Sequence, residues 1–270
     1  MSRPARGPVL VGVDAGGTWL RAVVSRPGRP PLRRRLPSPA GVPLERTLRR
    51  AFRLLGVRRA DLLVLGCKGV WGAGAREALS ARLKGLARRA SVMSDLELAW
   101  EAAFARGPGV VTVAGTGSAA FARDASGRRA RAGGLGPLLG DEGSAFWIGR
   151  RWLALGPEGR ALRYARRPDA VAAVAALARA VCRRAPLDPR ARAILRSGAE
   201  ELARTTSRAA GALKLPRGTP LCCRGGMFRS ADFRATFLRA LRADRSGLRP
   251  LSHAPRAEDA VFKFAKMRLP

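Results

Sequence analysis

The stretch LVGVDAGGTWLRAVV, residues 10–24, decides the fold. Its two ends are β-branched and apolar, as expected for strands that are buried in a sheet. Between them, the segment from Asp14 to Thr18 predicts a tight turn that joins two strands of a hairpin, at residues 8–13 and 19–24. A carboxylate that ends a buried strand is costly unless a metal ion or a donor satisfies it. The two adjacent glycines in the turn would let an anion approach the backbone N–H groups.

The length and composition allow one large domain or two modest ones with a sizeable core, since 47% of the 270 residues are hydrophobic. Runs typical of strands alternate with helical patterns, which favours an α/β protein. The most apolar helical stretch, AVAAVAALARAV, is short and is interrupted by Arg179, so we expect no transmembrane helix. The apolar run near the N-terminus is too short for a signal peptide and contains Asp14. We therefore expect a soluble, cytoplasmic protein.

The charge is extreme, because 52 lysines and arginines against 19 aspartates and glutamates give a formal net charge of +33. Such an excess ordinarily indicates nucleic acid as a partner. The arginines here are scattered from end to end, whereas a binding patch would be concentrated and interleaved with aromatic residues. Two interpretations stay open, a coding bias towards arginine, which we favour, and a surface that binds polyanions.

Two more glycine turns follow strands in the second half of the chain. The first is VAGTGS at residues 113–118, and the second is the pair Gly225 and Gly226 after PLCCR. The order of residues excludes a P-loop, and the dinucleotide fingerprint GxGxxG is not satisfied. A tight hairpin is the alternative for each turn taken alone. Three such turns in one chain favour phosphate binding.

Asp95 lies at the end of a predicted strand, residues 90–95, and before the helical sequence LELAWEAAF. A predicted amphipathic helix over residues 74–89 precedes this strand. Asp95 is therefore predicted to be the N-cap of the following helix, a position that suits aspartate without any chemical role. The alternative is that its carboxylate carries out chemistry at the strand end.

Four segments resemble, in order, the motifs of the N-acetylglucosamine kinase / BadF/BadG/BcrA/BcrD-type ATPase family, part of the superfamily of sugar kinases, heat-shock ATPases and actin. They are VGVDAGGTWLRAVV, VVTVAGTGSAAFARDASG, GGLGPLLGDEGSAFWIGRRWL and LCCRGGMFRSADFRATFLRAL. The resemblance implies an α/β fold of two ribonuclease-H-like (actin-like ATPase) domains with an interdomain nucleotide cleft. We expect these domains at residues 1–105 and 106–256, with the terminal helix, residues 257–270, packing on the first.

The resemblance also implies an ATP-dependent kinase that uses Mg²⁺ and phosphorylates a small sugar. Asp95 would be the general base for the attacking hydroxyl, and Asp14 would hold Mg²⁺ largely through water. The phosphates of ATP would be bound by Gly16, Gly17, Thr18, Gly115, Thr116 and Gly117. The adenosine would be bound by Gly225, Gly226 and Met227. The sugar would be bound by Ser118, Gly134, Asp141 and Glu142. The alternative for Asp141 and Glu142 is that they are loop or first-turn acids favoured by a helix dipole.

Two positions depart from the family's pattern for sugar contacts. Ala119 follows GTGS where N-acetylglucosamine kinases usually carry Asn, and Leu135 stands where they usually carry Trp. Loss of polar partners weakens the recognition of hydroxyl and acetamido groups. We expect an amino sugar, glucosamine or N-acetylglucosamine, as the acceptor, while these two positions leave its identity open.

Two other functions stay open at this stage. One is a nucleotide-dependent switch or partner activator without a sugar substrate, and the other is a polyanion-binding protein with a vestigial ATP site. The cysteines show no metal-ligand spacing, and none lies where dehydratase-activating relatives hold an iron–sulfur cluster, so we expect no cluster and no disulfide framework. The four are Cys67, Cys182, Cys222 and Cys223. A homodimer is common in the family that the chain resembles.

Overall fold

The structure is a computed structural model that describes residues 7–38, 41–105, 107–244 and 246–268. The chain divides into two compact units, Met1–Ala105 together with Pro255–Pro270, and Arg106–Ala254. Each unit contains a five-stranded mixed sheet flanked by helices. The α/β fold predicted from the sequence is therefore confirmed.

The sheet of the first unit is built around the hairpin that the opening motif predicts. Its strands are β1 (Leu10–Ala15), β2 (Trp19–Arg26), β3 (Arg29–Pro37), β4 (Ala60–Cys67) and β5 (Ala87–Ser94). Their spatial order is β3-β2-β1-β4-β5. β1 is antiparallel to β2 and parallel to β4, and β4 is parallel to β5. Since β1, β4 and β5 run in the same direction, their carboxyl ends meet at one edge of the sheet.

Three helices of the first unit follow within residues 44–104. They are α1 (Leu44–Leu54), α2 (Ala73–Arg82) and α3 (Asp95–Phe104). The apolar face of α1 places Leu48 and Phe52 in the core on one side of the sheet. The prediction of a helix over residues 74–89 was wrong at its end, because Ala87 already pairs with Ala60 of β4. Local periodicity carries no information on that pairing between strands.

The sheet of the second unit repeats the topology of the first. Its strands are β6 (Gly109–Ala114), β7 (Ser118–Arg123), β8 (Arg129–Gly133), β9 (Pro220–Arg224) and β10 (Arg249–Pro250). The spatial order is β10-β9-β6-β7-β8. β7 is antiparallel to its two neighbours, β6 and β8, whereas β9 is parallel to both β6 and β10. In both units, a three-stranded meander therefore continues into two parallel strands.

Helices fill the interval between β8 and β9 and the segment after β9. They are α4 (Gly136–Leu139), α5 (Ala145–Leu153), α6 (Glu158–Ala165), α7 (Ala170–Ala176), α8 (Ala178–Arg184), α9 (Pro189–Gly211) and α10 (Ala231–Ala243). The core of this unit is formed by α5, α8, α9 and α10 with the sheet, and Ile148, Phe233 and Phe237 are fully buried there. No helix among the described residues is long and apolar enough to cross a membrane.

The end of the chain returns to the first unit. A 3₁₀ turn (Ala257–Asp259) and the helix α11 (Ala260–Arg268) pack against α3 and β1. Two polar contacts fix this segment: Arg33 of β3 donates to Asp259 at 2.6 Å, and Lys263 donates to the carbonyl of Ala102 at 2.7 Å. The second contact places a cation at the carboxyl end of α3, where the helix dipole favours one.

Gly12 should be required for this packing. A Cβ at Gly12 would lie 1.9 Å from the carbonyl oxygen of Glu258, so we expect Gly12→Ala to lower the free energy of unfolding by about 1–3 kcal/mol. Urea denaturation measures the change. Gly74→Ala in α2 is the control, because a Cβ there meets no atom within 4 Å and alanine favours the helix. Equal stability of Gly12→Ala and the wild type would contradict the close packing of residues 257–259 on β1.

Candidate active site

Asp14 lies at the carboxyl end of β1 and is only 9% exposed. It is opposite Arg21 in the hairpin register, and its Oδ2 lies 3.4 Å from Nη1 of Arg21. The turn that follows is closed by the N–H of Gly16, which donates to the carbonyl of Trp19 at 3.1 Å. Ser38, the residue after β3, also holds the turn in place, because its N–H donates to the carbonyl of Thr18 at 3.0 Å. The carboxylate of Asp14 therefore lies beside a turn of small residues that backbone hydrogen bonds hold in place.

Asp95 follows the carboxyl end of β5, as predicted, but it is the first residue of α3 and not its N-cap. The N-cap is Ser94, whose Oγ accepts the N–H of Glu97 at 3.2 Å, while the Glu97 carboxylate accepts the N–H of Ser94 at 3.0 Å. This reciprocal pair is a capping box. Because Ser94 already performs the capping, the prediction that Asp95 is the N-cap was wrong. Asp95 itself is half-buried, and its Oδ1 accepts the N–H of Leu96 at 3.0 Å.

The two carboxylates share one edge of one sheet. Asp14 is in register with Gly66 of β4, and Gly66 is in register with Met93 of β5. One strand, β4, therefore separates β1, which contains Asp14, from β5, which Asp95 directly follows. Adjacent strands are about 4.8 Å apart, which puts β1 and β5 roughly 10 Å apart.

Cys67 ends β4 between these two strands and is half-buried. Burial raises the pKa of its thiol to about 11, and the carboxylates of Asp95 and Glu45 add to the shift. The thiol is therefore protonated at neutral pH and is a poor nucleophile.

The sequence reasoning missed Glu97 and Arg76. The side chain of Glu97 is 8% exposed and pairs with Arg76 of α2 at 2.8 Å. Glu97 could have been found, since SDLE fits the S-x-x-E pattern of a capping box. No local pattern points to Arg76, because its partner is 21 residues away in the chain.

In the second unit, the turn between β6 and β7 is held by the first residues of α5. The N–H of Gly115 donates to the carbonyl of Gly117 at 2.9 Å. The N–H groups of Ala145 and Phe146 donate to the carbonyls of Gly115 and Thr116, at 2.8 and 3.2 Å. The carbonyl oxygens of Gly115 and Thr116 are therefore hydrogen-bonded to the start of α5, and the carbonyl oxygen of Gly117 is hydrogen-bonded within the turn.

Asp141 belongs to the same cluster. It is 5% exposed, adopts a left-handed backbone with φ 61°, and its Oδ1 accepts the N–H of Ser118 at 3.3 Å. Gly117 is needed beside it, because a Cβ there would lie 2.7 Å from Oδ2 of Asp141. The hydroxyl of Ser118 donates to the carbonyl of Glu142 at 2.7 Å. Asp141 and Ser118 therefore already join the loop of residues 140–144 to the glycine turn.

The turn after β9 also reaches β6. Gly225 has φ +107°, and a Cβ at this position would lie 2.2 Å from the carbonyl oxygen of Ala114. Met227 is 3% exposed and is part of the apolar core. Its side chain is thus occupied by packing, and only its backbone remains as a contact for a nucleotide.

Gly134 lies beside the start of β7, because a Cβ there would be 3.1 Å from Cβ of Ala119. The segment that follows, which includes the short helix α4, exposes three leucines at 66–89% of their surface. They are Leu135, Leu138 and Leu139.

Each unit therefore gathers its predicted residues at one edge of its own sheet. In the first unit these are Asp14, Gly16, Gly17, Thr18 and Asp95. In the second unit they are Gly115, Thr116, Gly117, Ser118, Gly134, Asp141, Glu142, Gly225, Gly226 and Met227.

Three of these glycines have no explanation within the protein. A Cβ at Gly17, Gly115 or Gly226 would meet no atom within 4 Å, and none of the three has a left-handed backbone. Neither packing nor conformation demands glycine at these positions. The open space beside their backbones suits a bound anion, which is the use that close backbone approach allows.

Comparison with known families agrees with these motifs. Residues 11–248 match the model of the BadF/BadG/BcrA/BcrD ATPase family. An N-acetylmuramic acid/N-acetylglucosamine kinase from Clostridium acetobutylicum is 41% identical to the chain over 58 residues. This match covers 22% of the chain and only 19% of the length of that kinase.

Among solved structures, the chain is similar to a proposed N-acetylglucosamine kinase from Chromobacterium violaceum, with a TM-score of 0.70 and 25% identity over 95% of this chain and 98% of that one. A ROK family glucokinase from Streptomyces griseus, in complex with glucose and AMPPNP, gives a TM-score of 0.60 at 18% identity, over 95% and 97% of the two chains. Component A of the (R)-2-hydroxyglutaryl-CoA dehydratase of Acidaminococcus fermentans gives 0.52 at 12% identity, over 96% and 99%. The last two show similarity of fold alone.

The two adjacent glycines after β9 should respond differently to substitution by alanine. Gly225→Ala is expected to lower the free energy of unfolding by about 1–3 kcal/mol, because its φ is positive and its Cβ would meet Ala114. Gly226→Ala should change it by less than about 0.5 kcal/mol, since φ is −67° and no atom is near. Thermal denaturation of both variants measures the difference. Equal destabilisation by the two changes would contradict this description of the turn.

Proposed function

The chain belongs to the BadF/BadG/BcrA/BcrD ATPase family, and from this premise we propose that it is an ATP-dependent kinase whose acceptor is a small sugar, specifically an amino sugar. The observation that carries the proposal is the shared edge of the first sheet, where Asp14 is the second-last residue of β1 and Asp95 directly follows β5. Phosphoryl transfer needs a group that accepts the proton of the acceptor and a separate site for the phosphates. The edge offers both within one rigid sheet.

Phosphate contacts are proposed for the glycine turns of both units. In the first unit they come from Gly16, Gly17 and Thr18, and in the second from Gly115, Thr116 and Gly117. The open space beside Gly17 and Gly115 supports these contacts. Gly226 has the same open space, which supports its place beside the adenosine together with Gly225 and the backbone of Met227.

Mg²⁺ is proposed to bind near Asp14. The residues fit this ion, because a buried carboxylate at a strand end supplies a hard oxygen ligand, and Mg²⁺ usually keeps water and phosphate oxygens as its other ligands. Among the described residues there is no group of three or more His, Cys, Asp or Glu side chains that could hold a metal ion. One carboxylate beside a triphosphate is consistent with that finding. The ion would neutralise charge that develops on the phosphates.

Asp95 is proposed as the general base. Its carboxylate would accept the proton of the acceptor hydroxyl while that oxygen forms a bond to the γ-phosphorus of ATP and the bond to the β–γ bridging oxygen breaks, releasing ADP. Its position at the first turn of α3 also suits a carboxylate, because the helix dipole is positive there. The fixed backbone around Asp95 supports its role in orienting the acceptor.

The acceptor is proposed to be glucosamine or N-acetylglucosamine, contacted by Ser118, Gly134, Asp141 and Glu142. The names of the kinase from Clostridium acetobutylicum and of the similar structure from Chromobacterium violaceum support an amino sugar. Ala119 and Leu135 offer no polar side chain to it, so we expect selectivity among related sugars to be modest. Since the hydroxyl of Ser118 donates to the carbonyl of Glu142, its oxygen would contact the sugar as a hydrogen-bond acceptor.

ADP release over a panel of amino sugars and hexoses tests this proposal. We expect release that depends on MgATP and on an amino sugar, and loss of at least about 100-fold in kcat for Asp95→Asn, because the variant cannot accept the proton. The variant should still bind MgATP, as measured by its thermal shift. The nearby Cys67→Ala is the control, and its turnover should be unchanged.

The panel also separates the alternatives. ADP release that no sugar stimulates would favour a nucleotide-dependent switch, and wild-type turnover by Asp95→Asn would overturn the assignment of the base. Retention on nucleic acid that falls with salt, without any stabilisation by MgATP, would favour a polyanion-binding protein.

Gly17 and Gly115 provide a test of nucleotide binding that is independent of stability. We expect Gly17→Ala and Gly115→Ala to weaken MgATP binding by at least about tenfold, because a methyl group would occupy the space of a phosphate oxygen. Isothermal titration calorimetry measures the affinity, and thermal denaturation should show unchanged stability, since no protein atom lies within 4 Å of either Cβ. Gly74→Ala is the control for both measurements. Unchanged MgATP affinity in both variants would contradict the proposed phosphate contacts.

A further inference from the structure

We propose that Arg76 is a positioning residue for Asp95, acting through Glu97 and the loop that follows β4. This inference rests on the proposed function, in which Asp95 is the general base. Arg76 lies on α2, and neither the family motifs nor the glycine turns include it. Its guanidinium connects two segments that leave the same edge of the sheet.

The contacts of Arg76 converge on one nitrogen. Its Nη2 donates to Oε2 of Glu97 at 2.8 Å and to Oε1 at 3.0 Å. The same Nη2 donates to the carbonyl of Trp71 at 3.0 Å. Trp71 lies in the loop after β4, and Glu97 lies in the first turn of α3 after β5. One cation therefore ties the exits of two adjacent parallel strands together.

Glu97 passes this constraint to the start of α3. Its Oε2 accepts the N–H of Ser94 at 3.0 Å and the hydroxyl of Ser94 at 2.9 Å, in addition to the guanidinium of Arg76. Ser94 is fully buried, and the side chain of Glu97 is 8% exposed. Asp95 lies between these two residues in the chain. Its backbone is thus fixed on both sides by one network of buried hydrogen bonds.

The charge of Arg76 is needed for this network to hold. A buried carboxylate that loses its cation is strongly destabilised, because its charge is no longer compensated. Without Arg76, Glu97 would move towards water, and this movement would release the first turn of α3. A displacement of about 1 Å at a reacting group can reduce turnover about 100-fold. The expected consequence is a loss in kcat, with little change in the binding of either substrate.

Arg76→Met is the direct test, because methionine keeps much of the length and apolar volume of the side chain but not its charge. We expect kcat to fall about 10- to 100-fold and the KM values for MgATP and sugar to change by less than about threefold. Arg76→Lys should restore most of kcat, since a single nitrogen makes all three contacts and an ammonium group has three donors. Steady-state kinetics with the best sugar of the panel measure both parameters.

Arg82→Met is the matched control on the same helix. Arg82 also pairs with a glutamate, Glu45 of α1, but its side chain is 62% exposed and contacts neither Trp71 nor Glu97 through any hydrogen bond or ion pair described for residues 41–105. We expect wild-type kcat for this variant. A second measurement is hydrogen exchange of the amides in residues 94–99, which should be faster in Arg76→Met and unchanged in Arg82→Met.

The outcomes separate this proposal from the proposed function. If Asp95→Asn is inactive and Arg76→Met retains wild-type kcat, the positioning role is wrong and the assignment of the base stands. If Arg76→Met and Arg82→Met lose activity equally, the effect is general destabilisation and the positioning role is again wrong. If Asp95→Asn turns over like the wild type, the base assignment fails and this inference fails with it. A further supporting result is non-additivity in kcat between Arg76→Met and Glu97→Gln.

Discussion

The first unit depends on the close approach of α3 and of residues 257–259 to the strands β1 and β4. A Cβ at Gly66 would lie 2.6 Å from Cβ of Leu98, and a Cβ at Gly12 would lie 1.9 Å from the carbonyl of Glu258. At these two positions, on adjacent parallel strands, no side chain of the sheet lies between the strands and the layer formed by α3 and residues 257–259. Because α3 begins at Asp95, this contact also fixes the position of Asp95 relative to the edge of the sheet where β1 ends.

Glycines of the candidate site fall into two physical classes. Gly117 and Gly225 are required by the protein itself, since a Cβ would meet Asp141 in the first case and Ala114 in the second. Gly17, Gly115 and Gly226 are required by no contact among the described residues, because none of them has a left-handed backbone and the space beside them is open. The first class builds the turns, and the second class leaves the turns accessible.

Much of the fold could be predicted from the sequence, because its signals are local. The hairpin of β1 and β2 follows from two apolar runs around a turn, and the proline-rich β3 is an edge strand, as Pro30 and Pro31 require. The start of β5 and the N-cap of α3 were placed incorrectly. In both cases a contact decides the boundary, the pairing of Ala87 with Ala60 in one and the capping box of Ser94 in the other. The ion pair of Arg76 could not be predicted, since it joins α2 to α3 across the intervening β5.

The two carboxylates in the first turn of α3, Asp95 and Glu97, differ in their surroundings. Both gain from the positive end of the helix dipole. Glu97 is buried, and its oxygens accept from Ser94 and Arg76, so moving it would disrupt the cap. Asp95 is half-buried at the sheet edge, and its Oδ1 accepts the N–H of the next residue, outside the hydrogen bonds that form the cap. Under the proposed function Asp95 would gain and lose a proton in each cycle, and the buried hydrogen bonds of Glu97 would hold the helix in place while it does so.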